Sequence, residues 1–447
     1  MAATRKSPPN KAIAAEVADV LVRHVPPHAR LTLALSGGLD SVVLLHVLLA
    51  LRDTHPFELR AVHVHHGLSP HADDWASFCG QLCASRAVEL TIHRVQIARD
   101  DPAGVEAAAR RERQRIFSAL DADFLLTAHQ QDDQAETLVL QLLRGAGPKG
   151  LAAIADVQGR PGWRALQLRP LLNVARADLL GAAQAQGLAW VEDESNQDIR
   201  YRRNALRQQV MPLLVQHFPG ASRTLARAAA LQADAAGLLD DLARLDAREA
   251  MAGDRLDCAV LARLSTARAR NLLRHFIERH GQPMPNLRRL DEALHQLRDA
   301  HGDARVRVNL GQMELWRYRG GAYVVPAAPL QAGPVRWQGE AAVWVPAAGV
   351  SVRVDRVNGA GLRQAVLEAG EVTFGVRAGG ERLRLHAGGP RRSLKNLLQE
   401  HAIPPWQRER LPLMWCDGRL VWAAGIGFEA DLCASPGEAG LLPHVDP

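Results

Sequence analysis

Long apolar runs are missing from this sequence. The longest, Val42 to Leu51, is broken by His46 and is about half of the ~20 residues that a membrane-spanning helix needs. No spanning helix is therefore expected. The N-terminus sets Arg5, Lys6, Pro8, Pro9 and Lys11 ahead of an amphipathic stretch and has no apolar signal core, so the expected address is cytoplasmic. Cysteine is scarce. Cys79, Cys83, Cys258, Cys416 and Cys433 are an odd, scattered set without C-x-x-C spacing, which argues against a cysteine-pair zinc or redox site. Cys79 and Cys83, four apart, are expected on one buried helix face, reduced as in the cytosol. Repeats and low-complexity tracts are absent as well. Lysine is rare: among 54 basic residues only Lys6, Lys11, Lys149 and Lys395 are lysines, the rest arginines. Arginine's planar fork binds two phosphate oxygens at once, although a genome rich in arginine codons accounts for most of them equally well.

What is present reads as globular protein. The 447 residues, 47% hydrophobic and 23% charged, suffice for two or three domains. A net charge of +6 suits a polyanionic partner without establishing one. Leu31, Leu33 and Leu35 alternate as a strand, and Val42 to Leu51 follows as a buried helix. Phe57 to His65 reads as a second strand, Asp73 to Arg86 as a helix and Val88 to Val95 as a third strand. Glu106 to Leu120 is an arginine-rich helix, Phe124 to Thr127 a fourth strand and Asp132 to Leu143 a helix. This alternation predicts an α/β fold with a doubly wound, mostly parallel sheet, whose ligands sit beyond the carboxyl ends of the strands. The expected domains are a catalytic one over 1–219, a mainly helical middle one over 220–359 and a small α+β one over 370–447.

Between the first strand and its helix stands Ser36-Gly37-Gly38-Leu39-Asp40-Ser41. A glycine pair lets backbone approach a ligand and adopt positive φ. The helix that starts there aims free N–H groups and a positive dipole end at the loop. Asp40 repels phosphate unless a divalent cation lies between them, so the loop suits a nucleotide carrying Mg2+ on its pyrophosphate. No lysine is present, so this is not a Walker A loop. A plain glycine turn with a Ser or Asp helix cap is the bland alternative. The whole S-G-G-L-D-S string, however, resembles the PP-loop of the N-type ATP pyrophosphatases, which cleave ATP between its α and β phosphates.

Further strings surround it: His63-Val64-His65-His66-Gly67-Leu68, Glu106 to Arg113, Thr127-Ala128-His129 through Asp132-Asp133-Gln134-Ala135-Glu136-Thr137, and Trp190 to Asn196 ahead of Arg202, Arg203, Asn204 and Arg207. In a strand His63 and His65 share a face and His66 opposes them, so pocket lining or packing fits better than metal ligation. Asp132 and Asp133 sit where carboxylates cap a helix, or where they hold Mg2+ with Asp40 or act on an attacking amine. Arg110, Arg111 and Arg113 are a solvated helix face or a stabiliser of phosphate charge. Near the C-terminus stand Arg391-Arg392-Ser393-Leu394-Lys395 and Ile403-Pro404-Pro405-Trp406-Gln407-Arg408.

Together these strings resemble the tRNA(Ile)-lysidine synthases, over about Leu31 to Pro212 and again at the C-terminal motifs. The resemblance implies a reaction in two steps. The C2 oxygen of the wobble cytidine in a CAU anticodon attacks the α phosphate of ATP, releasing pyrophosphate. The ε-amine of free L-lysine then displaces AMP. It implies nucleotide contacts from Ser36, Gly37, Gly38, Leu39, Asp40, Ser41, His63 and His129, with Mg2+ held through Asp40. Asp40, Asp133 and Arg110 become the catalytic candidates, with Asp133 ranked above Asp132. Asn196, Arg203, Asn204, Arg207 and, in the C-terminal domain, Lys395 become candidates for contact with tRNA or lysine. A homodimer is left open. The alternatives are a tRNA thiolase, disfavoured by the spacing of Cys79 and Cys83, and a catalytically inactive tRNA-binding protein, disfavoured by the intact loop and Asp133.

Overall fold

The computed structural model describes residues 9–98, 100–102, 104–194, 198–281, 284–300, 306–327 and 333–445. The chain divides into two compact units, Met1–Leu238 and Leu239–Pro447. The division falls inside one continuous helix, Ala221–Ala250. The boundary expected between 219 and 220 therefore lies at the start of a helix.

In the first unit α1 (Pro9–His24) leads into β1 (Arg30–Ala34), α2 (Leu39–Leu51), β2 (Glu58–His65), α3 (Ala72–Ala84), β3 (Glu89–Arg94), α4 (Val105–Ser118), β4 (Phe124–Leu126) and α5 (Gln131–Leu143). After these come α6 (Pro148–Leu151), β5 (Val157–Gln158), β6 (Leu166–Leu168), α7 (Arg176–Ala185) and α8 (Arg202–Ala205). A π-helical turn, Leu206–Val210, then joins α8 to α9 (Met211–His217). The strand order is β3-β2-β1-β4-β6-β5. All neighbours are parallel except the edge strand β5, which runs antiparallel to β6.

The central strand is apolar because both of its faces are covered. On one face Leu31 and Leu33 pack with Val17 and Leu21 of α1, Leu44 and Leu48 of α2, and Leu179 of α7. On the other, Val62 and Leu125 meet Ile116 and Phe117 of α4. α2 is apolar nearly all round because it is wedged between the sheet, α1 and α7. Helices on both faces make the sheet doubly wound, as the alternation predicts. The chain reverses direction between β1 and β4, so the loops after these strands open at the switch point where such folds bind ligands. Both the glycine loop and the segment from Thr127 to Gln130 lie there.

The second unit combines helices with sheet. Helices Cys258–Arg263, Thr266–Arg279 and Leu287–Asp299 pack through Leu272, Phe276 and Leu294 on a five-stranded sheet that includes Val306–Asn309, Met313–Tyr318 and Gly321–Pro326. Further on, strands Val372–Gly375, Leu413–Cys416 and Arg419–Ala423 share another sheet, beside helix Leu394–Glu400. Trp406 bridges the two portions. Its ring centroid lies 4.8 Å from that of Tyr323 and 6.0 Å from those of Trp316 and Tyr318. Around it the Tyr318 hydroxyl donates to the Ala402 carbonyl at 3.3 Å, and Arg307 faces Glu409 at 3.6 Å. The Ile403 to Arg408 string thus has a packing role inside this unit.

Aromatic pairs add about 0.5–1.5 kcal/mol each beyond their buried area. Trp406→Ala should accordingly lower unfolding free energy by about 3 kcal/mol and open the second unit to limited proteolysis. Trp406→Phe should recover most of that loss. Unchanged denaturant midpoints for both variants would refute the bridging role.

Candidate active site

The phosphate loop is shaped by its own short bonds. The Ser36 hydroxyl accepts from Gly38 N–H at 3.2 Å, and Ser41 donates to the Gly38 carbonyl at 2.9 Å. Gly37 has φ of +86°, and a Cβ there would stand 2.9 Å from Val191 Cγ2 and 3.1 Å from Cys79 Sγ. Only glycine fits that position. Val191 N–H donates to the Gly37 carbonyl at 3.0 Å, so the string that begins at Trp190 closes on the loop. Gly38, at φ −73°, is the N-cap of α2 without a side-chain cap, and a Cβ on it would meet nothing closer than 3.4 Å. The protein itself does not require glycine at 38.

His63 anchors the loop from beneath. It is buried, and its Nδ1–H donates to the Leu35 carbonyl at 2.8 Å, one residue before Ser36. Burial pushes its pKa below the usual value, so the ring is neutral and Nε2 carries the lone pair. His66 and His129 are both pushed down to about 4, chiefly by burial, with Arg113 adding to the effect in each. His129 Nδ1 is hydrogen-bonded to the Thr127 hydroxyl at 3.0 Å. Cys79 and Cys83 share the buried face of α3, as expected, and burial pushes their thiols up to about 12 and about 11. Neither is a thiolate at neutral pH, which removes the chemistry a cysteine-dependent thiolase needs.

Asp40 stands at the head of α2 with one carboxylate oxygen, Oδ1, buried and without a hydrogen-bond partner. Burial first, and then the charge of Asp133, raise its pKa to about 6, against the opposing charges of Arg176 and Arg207. Among the described residues no group of three His, Cys, Asp or Glu side chains could hold a metal alone. A lone carboxylate in a phosphate loop fits a cation whose other ligands are phosphate oxygens and water.

Asp133 is heavily engaged. Gln130 caps α5, its side chain accepting from Asp132 N–H at 2.6 Å, while Asp133 Oδ2 accepts from Gln130 N–H at 3.0 Å. Its other oxygen accepts from Arg203 at 2.7 Å and Arg207 at 3.0 Å. The same two arginines grip Glu136, which is 2% exposed, with Nε–oxygen distances of 3.1 and 2.6 Å. Arg203 and Arg207 are four apart and so share a helix face. The π-helical turn has a local cause: Pro212 has no N–H to offer the Gln208 carbonyl, and Met211 N–H bonds back to Leu206 instead. Such turns recur at functional sites. Glu136 is a site residue that the sequence motifs did not single out. The available signal was an acidic residue on the same face of α5 as Asp133, with two arginines at helical spacing to receive both.

The remaining candidates are more dispersed. Arg110 is exposed on α4 and has no ion-pair partner among the described residues. Asn204 donates to the Asp198 carbonyl at 3.0 Å. Asn196 lies outside the described residues. Lys395 belongs to the second unit, exposed at the start of helix Leu394–Glu400, where Arg391 and Arg392 are already paired with Glu429 and Glu400.

A glycine loop at the switch point of a doubly wound sheet is where such folds bind nucleotides, and residues 9–214 match the family described as the PP-loop domain, which makes this a PP-loop protein. Residues 256–323 match the TilS substrate binding domain and residues 372–445 the TilS substrate C-terminal domain. Three tRNA(Ile)-lysidine synthases are similar over nearly the whole chain. That of Nitrosomonas europaea is 44% identical over 94% of this chain and 92% of its own. That of an Azoarcus species is 47% identical, covering 96% and 95%, and that of Aromatoleum aromaticum is 47% identical, covering 94% and 97%. The chain belongs to the tRNA(Ile)-lysidine synthase family, and is an enzyme that uses ATP as cosubstrate and tRNA as substrate.

The shifted carboxyl of Asp40 makes a prediction for the nucleotide-free protein. Asp40 holds its proton more tightly folded than unfolded. Its contribution therefore favours the folded state at the acid end of the window from about pH 4 to about 6 and fades as pH rises. His66 and His129, pushed down, act in the opposite sense, so the Asp40 share is read as a difference. The Tm of the wild type minus that of Asp40→Asn should fall between about pH 4 and 6 and then level off. A flat difference would place Asp40 at its ordinary value.

Proposed function

We propose that this enzyme joins L-lysine to C2 of the wobble cytidine in the CAU anticodon of tRNA(Ile), giving lysidine, AMP and pyrophosphate. The observation that carries this reading is the unpartnered, buried oxygen of Asp40 in the phosphate loop, in a chain whose family acts on tRNA. Backbone N–H groups at the head of α2 hold the ATP phosphates. Asp40 is the residue that would hold Mg2+, which would supply positive charge to the pyrophosphate leaving group. The cytidine C2 oxygen attacks the α phosphorus, the bond to the bridging oxygen breaks and pyrophosphate departs. Arg110, exposed on α4, supplies positive charge as the α phosphate gains negative charge. The lysine ε-amine then bonds to C2, the C2–O bond breaks and AMP leaves with the oxygen.

Asp133 serves here as a positioning residue, because its oxygens are committed to the cap of α5 and to Arg203 and Arg207. Those arginines, with Asn204, orient the anticodon side of the substrate, and Asn196 belongs to the same stretch of sequence. His63 and His129 line the nucleotide side. The working location is the cytoplasm, where tRNA and free lysine meet. A homodimer is compatible with the reading, since every catalytic residue invoked lies in one chain. The second unit, with Lys395, grips tRNA away from the anticodon.

Incubation with ATP, labelled lysine and tRNA, followed by nucleoside mass analysis, should yield lysidine. Sulfur incorporation, or no product, would overturn the reading. If Asp133 and Glu136 both act by holding the two arginines, Asp133→Asn and Glu136→Gln should each lose pyrophosphate release and lysidine formation in the same proportion, by about ten-fold or more. A selective loss of lysidine in Asp133→Asn would assign that carboxylate to the amine. Truncation before Gly359 should weaken tRNA binding and flatten its salt dependence by roughly 0.7–0.9 in slope for every phosphate no longer bound. An unchanged slope would remove the C-terminal portion from the tRNA interface.

A further inference from the structure

A short chain of side-chain hydrogen bonds runs from the β4–β6 pairing into the candidate active site. Gln167 of β6 lies opposite Leu125 of β4 in register, and Thr127, two residues on, shares the face of Leu125. Gln167 Nε2 donates to the Thr127 hydroxyl at 3.3 Å, and that hydroxyl stands 3.0 Å from His129 Nδ1. Gln167 is 6% exposed and Thr127 7%, so their bonds are made within the protein.

The place of each proton follows from counting donors. An amide NH2 only donates, so the Thr127 oxygen accepts from Gln167. The hydroxyl has one proton of its own, and among the described residues its only other partner is His129 Nδ1. Were Nδ1 protonated, the hydroxyl proton would be buried without an acceptor, which is costly. Nδ1 therefore accepts. Burial holds the ring neutral, so its single proton resides on Nε2. His63 is set the other way, because its Nδ1–H donates to the Leu35 carbonyl. The Gln167 amide has its own reason for this orientation. Its Oε1 is buried without a partner, on a face shared with Arg169, whose positive charge reaches His129. Turned over, the amide would leave two unpaired donors on a face already positive.

We propose that Gln167 is a positioning residue that acts through Thr127 to fix His129 as a neutral Nε2–H donor toward an anionic oxygen of the bound nucleotide. This rests on the reading that His129 lines the nucleotide side. Among the described residues no hydrogen bond engages Nε2, which leaves it for a ligand. In this tautomer His129 donates to charge that grows on a phosphate and cannot serve as a general base through Nε2.

The test is nuclear magnetic resonance of the nucleotide-free enzyme carrying heavy nitrogen in its histidines. His129 is assigned by its absence from the spectrum of His129→Gln. Nε2, the nitrogen coupled to both carbon-bound ring protons, should be the protonated one in the wild type. Gln167→Glu sets an acceptor-only carboxylate against the same hydroxyl, and the charge of Arg169 favours its ionised form. Thr127 then donates to the carboxylate and accepts from His129, so the proton should move to Nδ1. Thr127→Val should give a mixture of tautomers, and Thr127→Ser should keep the wild-type one. Pyrophosphate release at saturating ATP should fall about 10-fold in Gln167→Glu and stay near the wild-type rate in Thr127→Ser. Circular dichroism and Tm verify folding, and variants at two positions guard against misfolding of either. An Nδ1–H ring in the wild type would overturn the proposal. So would an Nε2–H ring unchanged in Gln167→Glu and Thr127→Val, the mark of a merely structural contact, or an inverted tautomer with undiminished pyrophosphate release. Absence of pyrophosphate release by the wild type with ATP and tRNA would instead overturn the functional reading beneath it, since the spectrum of the nucleotide-free protein reads the tautomer independently.

Discussion

Four charged side chains, Asp133, Glu136, Arg203 and Arg207, carry the constraint on which the site depends. Burying Glu136 is costly in isolation, and the two guanidiniums offset that cost by binding both carboxylates at once. The bonds join α5, which begins at the switch point, to the segment from Arg202 that no strand pairing holds. Removing one of the four leaves a buried charge with half of its pairing, a destabilising loss. The network therefore fixes the wall of the site facing Asp40, and its charges reach the Asp40 carboxyl.

The electrostatics around the loop separate into two zones. On the α4 side, burial holds His66 and His129 neutral, and the positive charge of Arg113 adds to the effect in each, a setting that attracts anionic groups. At the head of α2, Asp40 places a buried carboxylate oxygen without a hydrogen-bond partner. One zone receives negative groups without help. The other sets a carboxylate where anions are repelled.

Much of the catalytic unit was legible in the sequence because its strands and helices are long enough to show their periods. The elements from β1 to α5 follow the expected order, and the glycine string falls where a parallel sheet reverses. The β5–β6 hairpin was not legible, since strands of two and three residues carry no pattern. Glu136 was missed because its partners lie 67 and 71 residues away in sequence, while its local context reads as an ordinary helix turn. Trp406 taught the converse lesson. A string quoted for its resemblance to a tRNA-handling family turned out to hold an aromatic ring packed against Trp316, Tyr318 and Tyr323.

The two glycines of the loop answer to different judges. At 37 the backbone conformation and the crowding by Val191 and Cys79 mean that a side chain harms the folded chain itself. At 38 the chain has room for a methyl group, so the fold itself raises no objection to one. A screen for thermal stability in the absence of nucleotide would reject substitutions at the first position and pass alanine at the second, leaving a well-folded protein with an obstructed phosphate loop. Stability and competence are thus recorded in adjacent residues, and a survey of one alone would miss half of what this loop demands.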